Sequence, residues 1–297
     1  MSFFKYVSIE TLEKILAGSI RLTQPGAFND PFELAVEVYN PHIGMEGNIE
    51  LRFDVLSPAR DINKYLLQPT FSDDKCNDIY ARELRSKIDN SIGMLCVTKN
   101  ESSHLMWAHY ACEYSGAVIE FDESHDFFRG AFEIEYIENR PKFHMDYFLS
   151  GEPLPISEIC LKSEVWRYEK EWRIARSLRD CKKIKAASNK YDIYTMEIPL
   201  DAIKCVTLGE RCKLDDAKKT YHKLKNTSVA LKIAALANWN YEFRYELIKI
   251  DVPISEMPPL ISPYNADIFL NEKGSLGDLA RWAKQHHPLN PAIKWRL

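Results

Sequence analysis

The 297-residue chain lacks most of the motifs by which a sequence declares an enzyme class. It has no G-x-x-x-x-G-K phosphate loop, no G-x-G-x-x-G, no G-x-S-x-G and no H-E-x-x-H, so the common signature-bearing classes lose their motif support. A membrane-length apolar run is missing too. The most apolar helical stretch, Val229 to Trp239, is interrupted by Lys232 and is too short to span a bilayer. The opening Met1 to Tyr6 lacks the basic segment and apolar core of a secretory signal, which predicts a cytoplasmic protein. Charge of one sign is not in excess: 39 Lys plus Arg stand against 43 Asp plus Glu, a formal net charge of −4. That balance gives no general drive toward nucleic acid or membrane. Seven cysteines are present, but no two lie two or three residues apart, so neither a disulfide framework nor a Cys-type zinc site is indicated. Small buried thiols in a reducing compartment are expected instead. Internal repeats and low-complexity segments are absent as well.

What is present is an ordinary globular composition: 45% apolar, 28% charged and 12% aromatic, long enough for a packed core. The chain opens as a strand, Phe3 to Val7. A helix follows, with Ser8 as N-cap, Leu12, Ile15 and Leu16 at helical spacing, and Gly18 as its end. After the short strand Ser19 to Leu22 comes a loop full of turn residues, Pro25 to Glu33, flanked by Phe28 and Phe32. Residues from about 48 to 90 lack strand alternation, and Asp78 to Ile88 predicts an amphipathic helix, so this region reads as a helical insertion.

Strand character returns at Gly93 to Thr98, and Ser102-Ser103 caps a helix through Tyr110. Gly116 to Phe121 and Phe132 to Ile137 read as strands. Val165 to Ile174 alternates with period two, broken at Lys170, so its first part is either strand or a helix turn. Tyr194 to Ile198 and Ile203 to Leu208 are further strands, Leu214 to about Trp239 mostly helix, and Tyr245 to Ile250 a last strand. Four prolines between 253 and 263 then mark a connecting segment. The expectation is one α+β domain over 1–251 with central, largely antiparallel sheets, the helical insertion, and a basic C-terminal tail over 252–297 that wraps the domain or docks a partner. His286, His287 and the basic residues Arg281, Lys284, Lys294 and Arg296 form its polar surface.

Three groups of residues are candidates for chemistry. Glu169, Glu171 and Arg173 are spaced two apart, so a strand would put them on one face about 7 Å apart. Two carboxylates beside a guanidinium suit a ribose hydroxyl or a developing cation, with the arginine keeping one acid ionised. The same row also suits a solvated cross-strand salt-bridge face. Trp166, Tyr168 and Trp172 alongside it suggest an aromatic wall. The helix after Ser103 carries Trp107 and His109. His109 is either packed and hydrogen-bonded or a ligand, but its spacing from His104 is poor for a shared metal, and no metal site is predicted. In the third group, Asn29, Asp30 and Glu33 either close the turn or bind substrate hydroxyls or a cation.

Three stretches together resemble a bacterial family known as domain of unknown function 2971. They are Phe4-Lys5-Tyr6 with Ile15-Leu16-x-Gly18 running into Phe28 to Glu33, then Leu105 to Ala111 with Gly116 to Phe121, and then Trp166-x-x-Glu169-x-Glu171-Trp172-Arg173-Ile174. The likeness covers roughly residues 3 to 250; it implies no activity, though such proteins often look like bacterial accessory or defence genes. The same order of elements is similar to ADP-ribosyltransferases, particularly the DNA-modifying toxin branch. That second resemblance implies NAD as substrate, lying against Lys5, Tyr6 and Trp107, with Ser103 and Met106 at the strand-to-helix corner and His109 on the helix beyond. It implies Glu171 as the late catalytic acid, with Glu169 or Arg173 in support. Lys5 departs from the arginine or histidine such enzymes keep at that place, and the choice between Glu169 and Glu171 is not forced. The leading expectation is NAD-dependent ADP-ribosyl transfer or NAD hydrolysis in a toxin or phage-defence setting, with a nucleic acid or a protein as acceptor. A non-enzymatic nucleotide- or partner-binding sensor is the alternative. A metal-dependent nuclease using Asp30, Glu33 and Glu169 is the third.

Overall fold

The computed structural model describes residues 1–34, 36–39, 85–144, 156, 160–184, 191–237 and 239–288. Most of the expected insertion, and Lys294 and Arg296 of the tail, lie outside the described residues; of the helix expected at Asp78 to Ile88, residues 85–89 are described and are helical. The strands are β1 (Ser2–Val7), β2 (Ser19–Leu22), β3 (Glu37–Tyr39), β4 (Ile92–Thr98), β5 (Ala117–Asp122), β6 (Phe132–Glu133), β7 (Glu135–Ile137) and β8 (Lys142–His144). They continue with β9 (Leu161–Ser163), β10 (Glu171–Ser177), β11 (Lys182–Ile184), β12 (Ile193–Glu197), β13 (Ile203–Leu208), β14 (Ala230–Leu236) and β15 (Phe243–Lys249). The helices are α1 (Ile9–Leu16), α2 (His104–Tyr110), α3 (Leu214–Leu224), α4 (Ala266–Phe269) and α5 (Ser275–His286).

The fold is α+β. Eight strands form one mixed sheet in the order β15-β14-β13-β5-β1-β4-β10-β6, and the smaller sheets are β11-β12-β2, β3-β8 and β7-β9. Within the large sheet, β13 and β14 pair in parallel, because α3 carries the chain back across the sheet between them. The other pairings of that sheet are antiparallel. The capping signals act as the sequence predicts. Ser8 Oγ accepts from Thr11 N at 3.1 Å, and Ser103 Oγ accepts from Met106 N at 3.3 Å, each filling a donor left open at a helix start.

The seam between β1 and β4 decides where a site can form. β1 pairs with β5 over six positions and β10 with β4 over seven, but β1 and β4 pair only at Phe4 and Thr98. The sheet is nearly unzipped there. A backbone group freed from a ladder needs another partner, and Lys5 Nζ supplies one by donating to Cys96 O at 2.8 Å. Beyond β2, the antiparallel bridge between Thr23 and Met94 ties the outgoing chain to β4 and starts the 25–34 loop beside this seam. Gly26 anchors that loop: its N–H donates to Asp89 Oδ1 at 2.6 Å. A Cβ on Gly26 would stand 2.2 Å from Tyr191 Oη and 2.3 Å from Asp89 Oδ2, so a larger residue there would have to displace both side-chain ends.

One helical expectation is corrected. The run from Leu214 to about Trp239, including the apolar stretch from Val229, is not one helix. α3 ends at Leu224, and Ala230 to Leu236 form β14. β14 lies between β13 and β15 with both faces largely covered, so its residues read as an apolar run interrupted by Lys232 alone. Periodicity cannot separate such a strand from a buried helix. At Val165 to Ile174 the helix-turn alternative holds for the first part. Glu164–Glu169 form 3-10 turns, Lys170 takes a left-handed conformation at φ 45°, and the strand starts at Glu171.

The main core gathers residues from β1, β4, β5, β10, β13 and β14 and from α1 and α3. Ala266, Ile268, Phe269, Ala280 and Ala283, from the segment after Asp251, are buried in that same core. A separate aromatic cluster around Trp107 takes in Tyr6, Tyr114, Phe243 and Tyr245. Among the described cysteines, Cys160, Cys205 and Cys212 are buried and in no disulfide, as expected, whereas Cys112 is exposed. No helix among the described residues is long and apolar enough to cross a membrane.

Candidate functional site

A cleft of about 280 Å³ opens at the β1–β4 seam. Its lining includes Lys5 and Tyr6 from β1, Cys96 and Thr98 from β4, Phe28, Asn29 and Glu33 from the 25–34 loop, Tyr110 from α2, and Glu171 and Arg173 from β10. Lys162 and Glu169 complete the charged part. Lys5 and Glu171, distant in sequence, thus line one cleft.

The residues of the charged part hold one another in place. Lys162 Nζ, only 4% exposed, lies 3.1 Å from Glu33 Oε1 and 2.9 Å from Glu171 Oε2, and also donates to Glu169 Oε2. Arg173 grips Glu171 with two donors, Nε to Oε1 at 2.7 Å and Nη2 to Oε2 at 3.0 Å, and reaches Glu33 Oε1 at 2.6 Å. Such charge-assisted and two-pronged bonds fix geometry as well as charge. The Phe28 ring lies 4.7 Å from the Arg173 guanidinium and covers it. Tyr110 donates to Glu169 Oε1 at 2.5 Å and accepts from Asn29 Nδ2 at 3.0 Å. A relay of hydrogen bonds therefore runs from the exposed Asn29 to the buried Glu169.

Environment drives the two acids apart. Burial works against ionising Glu171, but the Arg173 guanidinium and Lys162 outweigh it and hold the carboxyl well below the usual range. Burial moves Glu169 the other way, above its ordinary value; Lys162 and Tyr110 oppose that shift, and the charge on Glu171 adds to it. Lys162 would be lowered by burial alone, yet Glu171, Glu33 and Glu169 raise it. Burial lowers Lys5, against the pull of Cys96 and Glu171. Burial pushes the Cys96 thiol well up, with Glu171 adding to the shift, and a thiol so placed is a poor nucleophile.

The structure brings together Lys5, Tyr6, Asn29, Glu33, Glu169, Glu171 and Arg173. Met106 lines the cleft too, whereas Asp30, Ser103, Trp107 and His109 do not. Asp30 is buried, and its carboxylate closes a turn by accepting from Phe32 N at 2.9 Å. Ser103 caps α2, and its N–H donates to Tyr6 Oη. Trp107 is fully buried, edge-on to Tyr6 with ring centroids 5.5 Å apart. His109 is exposed beside Tyr110. The aromatic wall also differs from the expected one. Trp172 packs on Phe3 with centroids 5.6 Å apart, on the core side of the sheet. Phe4, Tyr6, Phe28 and Tyr110 flank the cleft instead.

Lys162 is the functional-site residue that sequence reasoning missed. Its one signal is a lysine following the apolar Ile159-Cys160-Leu161, and nothing local says that three carboxylates await it. Tyr110, which the sequence marks only as the end of a helix, is the second omission. Among the described residues no group of three or more His, Cys, Asp or Glu is arranged to hold a metal ion. No family model, no curated protein and no solved structure matches the chain.

Proposed function

We propose that the cleft takes the nicotinamide–ribose end of NAD and that the protein transfers ADP-ribose from it, to water or to an acceptor. The observation that carries this reading is the divergence of two carboxylates within one cleft, Glu171 held ionised and Glu169 pushed toward its protonated form. Paired acids driven apart by their surroundings take different roles. Breaking the bond between C1′ and the nicotinamide nitrogen sends the electron pair to the departing ring and leaves positive charge on the ribose. A fixed carboxylate at Glu171 stabilises that charge without reorganising. Water or an acceptor hydroxyl or amine then bonds to C1′ and gives up a proton. Glu169, raised toward working pH and connected to the surface through Tyr110 and Asn29, is suited to take it. Lys5 lines the cleft, and its Nζ, which donates to Cys96 O, has further donors to offer phosphate oxygens. The flanking rings suit a flat pyridine ring. The setting proposed with this activity is a cytoplasmic toxin or phage-defence effector, as the resemblance implies.

Incubating the protein with NAD, alone and with DNA, RNA or protein acceptors, tests the reading by nicotinamide release. Glu171→Gln keeps the shape and is expected to lower release about 10²–10³-fold, with thermal melting to check that the variant is folded. Undiminished release from a folded variant sinks the assignment.

A binding module is the second reading. It is favoured by the closure of the ionic cluster, in which Lys162 and Arg173 already engage all three acids. A thermal shift with NAD but no nicotinamide release would choose it. The nuclease reading loses its donor set. Asp30 is committed to a turn, and the Lys162 ammonium bridges Glu33 and Glu169.

A further inference from the structure

Glu33 is half used. It is 2% exposed, and its Oε1 takes both Arg173 and Lys162, yet its Oε2 is buried with no hydrogen-bond partner among the described residues. Nearly all buried polar atoms find a partner, and an unmet one is costly. The backbone beside it is also forced: Leu34, which follows, sits at φ 54°, a left-handed conformation unfavourable to a branched side chain. Strain of this kind persists where surrounding structure holds it, and here the anchored 25–34 loop carries Glu33 to the cleft wall.

We infer that Glu33 Oε2 is the acceptor for an uncharged N–H or O–H donor on the ligand of the cleft, and that Glu33 sets specificity by turning away an anionic group at that position. The inference rests on the NAD reading and deepens it. Two groups near the scissile bond of NAD offer such a donor, the carboxamide and the hydroxyls of the nicotinamide ribose. A carboxylate in place of the carboxamide would bring a second negative charge and no N–H. A deoxy ribose would leave Oε2 unmet. A site built to accept a hydrogen bond discriminates strongly against a ligand that lacks the donor.

The test compares dissociation constants, by rapid-mixing fluorescence before turnover, for NAD, its nicotinic-acid analogue and its 2′-deoxy nicotinamide-ribose analogue. Wild-type protein is expected to bind one analogue at least about tenfold more weakly than NAD, and the weakened one identifies the donor. In Glu33→Gln that penalty is expected to vanish, and the glutamine N–H₂ should favour the nicotinic-acid form if the carboxamide is the donor. Glu33→Met, of similar volume, serves as the second variant should the first fail to fold. Equal wild-type affinity for all three ligands overturns the inference, as does a penalty that survives in a folded variant. NAD that fails to bind wild-type protein overturns the NAD reading and this inference together. Binding of NAD with no discrimination overturns this inference alone.

Discussion

Two buried lysines, Lys162 at the cleft and Lys249 near the sheet edge, meet the same burden in opposite ways. Each places its ammonium among three oxygen acceptors. Lys249 Nζ donates to three backbone carbonyls, Thr227 O at 2.7 Å, Val229 O at 2.9 Å and Ile250 O at 2.8 Å. Lys162 faces three carboxylates. Burial lowers Lys249, and the more weakly acting Asp251 and Cys205 do not reverse it. Burial would lower Lys162 as well, but full negative charges reverse the sign. The difference shows which region is framework and which is site. Carbonyls that end strands need a donor of any kind, whereas three acids gathered around one cation form a charged cluster on the cleft wall.

The comparison is tested hardest by deleting each cation. Lys162→Met strands buried carboxylates and is expected to cost about 3–5 kcal/mol. Lys249→Met leaves only carbonyls unmet and should cost about 1–3 kcal/mol. Denaturant titration measures both, and equal losses would erase the distinction.

Alkaline pH sharpens it next, because the two contributions slope in opposite directions. Lys162 has a folded-state pKa above the ordinary 10.5, so its contribution is complete below 10.5 and declines as pH rises beyond it. Lys249 has a folded-state pKa below 10.5, so the folded state gives up its proton first, and stability from this group rises as pH climbs from the lowered value to 10.5. Wild type minus each methionine variant, followed by stability from below pH 10.5 to above it, isolates the two slopes. Slopes of the same sign would contradict the assignment.

The smallest expected effect tests the relay. Tyr110→Phe removes one hydrogen bond to Glu169, at a cost of about 1 kcal/mol. Since the tyrosine hydroxyl favours the carboxylate form, the variant should titrate Glu169 at still higher pH. Infrared bands of the protonated carboxyl read this directly, and an unmoved titration would remove Tyr110 from the relay.

Much of this site was legible in one dimension, in pieces. Glu169, Glu171 and Arg173 stood out because their spacing put them on one face, and Glu171 and Arg173 do share β10. Glu169 reaches the same cluster by another route, from a 3-10 turn ended by left-handed Lys170. The loop ending at Glu33 was visible through its turn residues. Lys162 was not, because its role depends on three acids delivered by separate parts of the chain. Trp107 shows the converse error. A tryptophan beside motif residues looked like a ligand wall, yet burial among Tyr6, Tyr114 and Phe243 makes it packing.

By itself the sequence determined the α+β class, the capped starts of α1 and α2, and the residue types available for chemistry. These follow from periodicity and from local hydrogen bonds that a few neighbouring residues satisfy among themselves. Tertiary structure alone decided that β1 and β4 splay apart, that Lys5 and Glu171 share the opening, and that Lys162 joins Glu33, Glu169 and Glu171. It also decided that one acid is held ionised and the other driven toward neutrality. Burial and Coulomb interactions act through space between residues far apart in the chain, and no local pattern encodes which charges will be neighbours once water is excluded.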